Sequence, residues 1–169
     1  FLARHRFAVA GTTDLWRALG ETSGQPIPAI LDGWIFRQGY PQVMVDVEGT
    51  GETVRFRQRA FRYLGNGEGA ERPWQVPITY RAGVNGQVVH GRVLLAAADA
   101  RVTFPARPDW LAVNAGGHGF YRVRYGADLL APLLRSAAEL LTPIERLNLL
   151  NDAWAANLAG MLPLAFTWR

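Results

Sequence analysis

Between Pro41 and Tyr125 the hydrophobic period of the chain is two, and on either side of that stretch it is the period of a helix. Val43, Val45 and Val47 alternate with Met44, Asp46 and Glu48, and Glu48-Gly49-Thr50-Gly51-Glu52 reads as a hairpin loop into Val54 to Phe61. A glycine-rich loop from Gly65 to Pro73 leads to a strand at Trp74 to Tyr80. Gly83 to Gly86 then turns the chain into Val88 to Leu95. Further short strands are expected at Arg101 to Phe104, Trp110 to Asn114 and Phe120 to Tyr125, the last two joined through Ala115-Gly116-Gly117-His118-Gly119. Seven short strands at hairpin spacing in about 85 residues, with no helix between them, predict a small antiparallel β-sandwich.

The flanks are helical, so the fold class is mainly β with helical flanks. Thr12-Thr13-Asp14 offers N-caps for a short helix through Leu15, Trp16 and Leu19 that stops near Gly24. Pro28 suits the first turn of a second helix, Ile27, Leu31, Trp34 and Ile35 make its stripe, and Gly39 and Pro41 end it. From Gly126, Leu129, Leu130, Leu133, Leu134, Ala137 and Leu141 repeat at three and four. Thr142-Pro143-Ile144-Glu145 is a capping box, and Leu147, Leu150, Trp154, Leu158 and Met161 continue as one stripe. Nothing later in the sequence suffices to cover that stripe. The chain also starts at Phe1 without a methionine, so a piece of a longer polypeptide is expected.

Composition removes much chemistry. All 18 basic residues are arginine, cysteine is absent, and Ser23 and Ser136 are the serines. There is no P-loop lysine, Schiff base, thiolate nucleophile or disulfide framework to consider. His5, His90 and His118 are scattered, and none belongs to the His-Glu-x-x-His pattern that brings two imidazoles and a water-activating carboxylate to one zinc ion. Neither serine stands in a nucleophile elbow, and Gly65-Asn66-Gly67-Glu68-Gly69 lacks the spacing of a dinucleotide loop. No apolar run reaches the ~20 residues of a membrane span.

The net charge of +4 invites a polyanion reading, because Arg55, Arg57, Arg59 and Arg62 lie beside Phe56, Phe61 and Tyr63. On a strand, however, Arg55, Arg57 and Arg59 fall on one face, as a solvated side does, and no nucleic-acid module is visible. Asp46 and Glu48 share a strand face, close enough to share a proton, with solvent exposure as the default reading. Gly116-Gly117-His118-Gly119 reads as an anion nest or as a hairpin needing positive φ, the hairpin being preferred. Trp34, Trp74, Trp110 and Trp154 occur once per structural segment and are expected to anchor cores.

Taken in order, the motifs carry a resemblance. Trp34-Ile35-Phe36-Arg37-Gln38-Gly39-Tyr40-Pro41 resembles the segment that leaves the catalytic domain in the aminopeptidase N-like zinc metallopeptidases, the gluzincin aminopeptidases. Gln58 with Phe61, then Trp74-Gln75-Val76-Pro77-Ile78, resemble strands of that family. Asn114 to Tyr125 is similar to its Asn-x-x-Gly-x-x-Gly-Tyr-Tyr-Arg-Val-Asn-Tyr signature, with Phe120, Arg124 and Gly126 as departures and Ala60 interrupting the earlier Arg-Phe pair. Pro143-Ile144-Glu145-Arg146, followed by Leu150, Asp152 and Ala153, resembles its first C-terminal helices.

The resemblance implies three parts: residues 1–39 as the helical end of a thermolysin-like catalytic domain, 40–125 as an immunoglobulin-like sandwich, and 126–169 as the start of a helical domain. It implies a parent hydrolase that removes N-terminal residues from peptides with zinc-activated water; the cytoplasmic location expected here comes from the absence of cysteine, which fits a reducing compartment. The zinc ligands, the strand that holds the substrate's amino group and the oxyanion tyrosine would all precede Phe1. No catalytic, cofactor-binding or metal-binding residue is therefore assigned in this chain, which is expected to be an inactive spacer orienting the catalytic and helical domains. Its partners would be those domains and, for the parent, a peptide; nucleic acid and a membrane span are not expected. The alternative is a freestanding adhesion or carbohydrate-binding sandwich.

Overall fold

The computed structural model describes residues 1–64 and 73–161. The glycine-rich loop expected at Gly65 to Pro73 lies outside the described residues except for Pro73. The chain divides into two compact units, Phe1–Gln38 and Gly39–Arg169.

The first unit is a pair of helices, α1 (Thr12–Ser23) and α2 (Ile27–Ile35). Gly11, one residue earlier than expected, is the N-cap of α1, and its N–H donates to Asp14 Oδ2 at 3.0 Å. Gly24 ends the helix in the left-handed region, φ 64°, as a C-terminal glycine does. Trp16 and Ile30 are buried, and Trp16 lies 6.1 Å from the Phe36 ring.

Among the described residues the second unit opens with seven strands: β1 (Pro41–Glu48), β2 (Thr53–Ala60), β3 (Val76–Val84), β4 (Gln87–Leu95), β5 (Asp99–Thr103), β6 (Trp110–Val113) and β7 (Arg122–Tyr125). They form two sheets, β5-β2-β1-β7 and β4-β3-β6. β1 pairs with β2 through an eight-residue register from Pro41↔Ala60 to Glu48↔Thr53, and β3 pairs with β4 from Val76↔Leu95 to Val84↔Gln87. Between the sheets, Val43, Val45, Val54 and Phe56 bury against Val76, Ile78, Tyr80 and Leu95. Phe56 stacks on Tyr80, with centroids 6.4 Å apart, and Phe104 meets Tyr80 edge-on.

One connection departs from the hairpin expectation. β6 and β7 do not pair: β6 is an edge of the second sheet, and β7 crosses to lie parallel to β1 in the first. The 114–119 segment is therefore a crossover, not a hairpin. Asn114, at φ 62° and ψ 45°, holds it closed by accepting from Gly119 N–H at 2.7 Å and donating to Gly119 O at 3.1 Å.

After β7 come α3 (Ala127–Arg135), α4 (Ala137–Leu140) and α5 (Pro143–Leu158). The expected repeat at three and four is broken at Ser136, which separates α3 from α4. These helices cover the β6 and β7 side of the sandwich, where Leu133 and Leu141 bury with Ala112. Of the four tryptophans expected as anchors, Trp74 is buried, Trp34 and Trp110 are half-buried, and Trp154 on α5 is 45% exposed. Trp110 lies against Gly83 on the outer side of its sheet, where a Cβ at Gly83 would come within 2.2 Å of its ring nitrogen. Among the described residues no helix is long and apolar enough to cross a membrane.

A candidate functional site where the last helix locks onto the sandwich

Buried polar groups concentrate where α5 meets the sandwich. The expected capping box at its start is present: Thr142 Oγ1 accepts from Glu145 N–H at 3.4 Å, and Glu145 Oε2 accepts from Thr142 N–H at 2.8 Å. The same carboxylate does more than cap. Its Oε1 accepts from Gly116 N–H at 2.9 Å, and its Oε2 meets Arg81 Nη2 of β3 at 2.6 Å. Of the segment read as a nest or a hairpin, Gly116 N–H meets this internal carboxylate, while the Gly117 and Gly119 N–H groups turn to Asn114. Arg81 also donates to Leu140 O at 2.9 Å, so one guanidinium spans β3, α4 and α5.

Two turns along the same helix, Asp152 makes a second lock. Its Oδ2 accepts from Val123 N–H at 2.8 Å, and its Oδ1 accepts from Arg122 Nη1 at 3.1 Å. Arg122 in turn donates to Tyr40 Oη at 3.2 Å and lies over the rings of Tyr40 and Phe61, 5.7 and 5.0 Å from their centroids. A cavity of about 230 Å³ opens between Arg122, Phe120, the 114–119 crossover and Asn148, Asn151 and Asp152 of α5.

Burial works against charge on both carboxylates, with different outcomes. At Glu145 the Gly116 and Thr142 N–H groups and Arg81 outweigh burial, and the carboxyl is held below its ordinary range. At Asp152 burial outweighs the Val123 N–H and Arg122, and the carboxyl is pushed up to about 6. Arg122 also loses by burial, but Tyr40 and Asp152 more than restore its charge and raise it.

A third polar tie, within the sandwich, belongs to Gln58. Its amide donates to Trp74 O at 2.9 Å and Ala97 O at 2.7 Å, while its Oε1 accepts from Trp74 N–H at 2.9 Å. It bonds one sheet to the chain entering and leaving the other.

The remaining residues singled out by sequence are apart from these locks. Asp46 and Glu48 turn to separate partners: Asp46 pairs with Arg57 at 2.8 Å, and Glu48 with Arg101 at 2.8 Å and Arg55 at 3.6 Å. Asp99 pairs with Arg55 at 2.7 Å, so the arginine stripe of β2 is largely an ion-pair ladder. His5 lies in the first unit, His90 on β4 and His118 after the turn at Ala115–Gly117. Among the described residues no three metal-ligating side chains gather. Sequence reasoning had Glu145 as a cap and Asp152 as a motif position. It missed that both bind arginines and backbone N–H groups of the sandwich; their placement two turns apart beside a capping box was the available signal.

A family described as the ERAP1-like C-terminal domain matches residues 110–166, from β6 through the helices. Over 98% of its length the chain is 33% identical to a puromycin-sensitive aminopeptidase of Caenorhabditis elegans. It is 34% identical over 95% of its length to a probable aminopeptidase 1 of Sulfurisphaera tokodaii, and 30% identical over 98% to aminopeptidase M1 of Arabidopsis thaliana. The chain belongs to the aminopeptidase N-like family. Within that family it spans only a fifth or less of its relatives: 18% of the worm protein, 19% of the archaeal one and 20% of the plant one. The Arg81–Glu145 and Arg122–Asp152 locks both lie inside the region shared with the ERAP1-like C-terminal domain or reach it from β3.

Proposed function

We propose that this chain is the non-catalytic joint of a zinc-dependent aminopeptidase that removes N-terminal residues from peptides. In this reading it holds the catalytic and helical domains at a set angle, and so governs access of peptide to the active site. The observation that carries it is the double lock on α5. Glu145 and Asp152 share one helix face, and each takes an arginine and a backbone N–H from the sandwich or its crossover. Two charge-assisted anchors a helical turn or more apart fix direction as well as contact, which a single anchor does not. The apolar stripe of α5, with Leu147 and Leu150 each 59% exposed, is the face on which further helices of the complete enzyme pack. The cysteine-free composition suits a reducing cytoplasmic setting.

Two measurements test the reading. The chain alone, given zinc and an aminoacyl chromogenic substrate, should show neither turnover nor stoichiometric tight zinc; either result sinks it. In the complete enzyme, Glu145→Gln should alter turnover of long peptides while a single-residue chromogenic substrate stays within about two-fold. Equal losses on both substrates would mean that the lock supports general folding and not the geometry of access.

A further inference from the structure

The outward face of the β5-β2-β1-β7 sheet carries more positive charge than the described residues neutralise. Register places Arg55, Arg57 and Arg59 of β2, Arg101 of β5, and Arg122 and Arg124 of β7 on one side. Carboxylates meet four of them: Asp99 and Glu48 serve Arg55 and Arg101, Asp46 serves Arg57, and Asp152 serves Arg122. Arg59 donates twice to Gln42 Oε1, at 3.0 and 2.8 Å, which is a neutral partner. Half-buried Arg124 makes no side-chain hydrogen bond or ion pair among the described residues. Its charge is felt by its neighbour, since Arg59 is held below its ordinary range first by burial and then by Arg124.

Arg124 does not stand over open solvent. Register sets Met44 directly between Arg57 and Arg124, and a cavity of about 320 Å³ lies there, lined also by Ala127 and Leu130 of α3 and by Asp46. We propose that this cavity binds a carboxylate carried on a short apolar body, with its oxygens on Arg124 and its carbons on Met44, Ala127 and Leu130. The guanidinium fork matches a carboxylate edge with two parallel hydrogen bonds, and the apolar lining desolvates that pair. Asp46 argues for a single negative charge, because a phosphate dianion would meet its carboxylate and would leave the apolar lining unused. The ligand is a free organic acid or the acidic side chain of a peptide. The site does not depend on the aminopeptidase reading, and either can fail alone.

The test titrates the 169-residue chain, followed through the Gly126 and Ala127 amide resonances, with butyrate, butyramide, inorganic phosphate and N-acetylglutamate α-amide. Butyrate should bind at about 1 mM or tighter, with butyramide and phosphate at least about ten-fold weaker. Arg124→Gln should weaken butyrate about ten-fold, and Arg55→Gln, which removes a paired arginine of the same face, should leave it within about two-fold. If N-acetylglutamate α-amide matches or exceeds butyrate, the ligand is an acidic side chain; if butyrate alone binds, it is a free acid. The proposal is overturned if butyrate and butyramide bind alike, if phosphate binds more tightly than butyrate, or if butyrate shifts neither resonance. The ligand series on the unaltered chain decides the matter even where Arg124→Gln fails to fold.

Discussion

Glu145 and Asp152 are both nearly buried and both face an arginine, yet burial decides the outcome at only one of them. Glu145 collects two backbone N–H donors besides Arg81, whereas Asp152 has one besides Arg122. The linkage signs are therefore opposite. Asp152 holds its proton more tightly folded than unfolded, at about 6 against 3.8. Its contribution to stability is present at low pH and is lost as pH rises from about 4 to about 6, a change of about 3 kcal/mol. Asp152→Asn cannot titrate, so urea unfolding of both proteins across that range should show the parent losing ground to the variant as pH rises; parallel profiles would refute the shift. Glu145, depressed in the folded chain, contributes stability above its unfolded value and loses it as pH falls through its folded value. Glu145→Gln at neutral pH strands Arg81 and should cost about 3 kcal/mol, and a cycle with Arg81→Gln should show strong coupling. Additive losses in that cycle would mean that the pair contributes nothing of its own.

At the scale of the element, the crossover from β6 to β7 carries the loop that α5 leans on. Gly117 has φ 72°, and a Cβ there would come within 2.9 Å of both Ile144 Cγ1 and Asn148 Nδ2 on α5. Gly117→Ala should therefore cost about 2 kcal/mol by combining backbone strain with overpacking. Amide exchange should accelerate in α5 and leave the β1–β2 ladder unchanged; uniform acceleration would show that α5 and the sandwich unfold as one. Much of this region was legible beforehand. Period two located all seven strands, and Thr142-Pro143-Ile144-Glu145 announced the start of α5. Neighbour relations were not legible: alternation tells which face of Val123 turns inward, but not that β7 lies parallel to β1 instead of pairing with β6. The same limit hid the locks. A capping glutamate looks complete within its own helix, and only the crossover that brings Gly116 to it, together with Arg81 reaching it from β3, reveals the second use. The arginine stripe was read correctly as one strand face, while its carboxylates lie on neighbouring strands that register alone identifies.

For the whole molecule, the decisive surface is the outer face of α5. Ile144, Leu147, Leu150, Trp154 and Leu158 are each 45–59% exposed, at a spacing that keeps them on one side of the helix. A contiguous apolar face of this kind marks an interaction surface. The chain spans about a fifth of the length of its relatives, and a protein of their length has ample further polypeptide to cover such a face. Two consequences distinguish such a docking face from a core packed within this chain. Replacing Leu147 and Leu150 together by Gln should change the unfolding free energy of the isolated chain by less than about 1 kcal/mol, because those side chains already meet water. Leu133→Ala, at a site only 1% exposed, should cost about 3 kcal/mol as the internal reference. The parent chain should also self-associate through the uncovered stripe at micromolar concentration, and the double Gln variant should sediment as a monomer under the same conditions. A double variant as destabilised as Leu133→Ala would show that the stripe is already packed within this chain, and α5 would then be the end of a finished domain and not the first layer of a larger one.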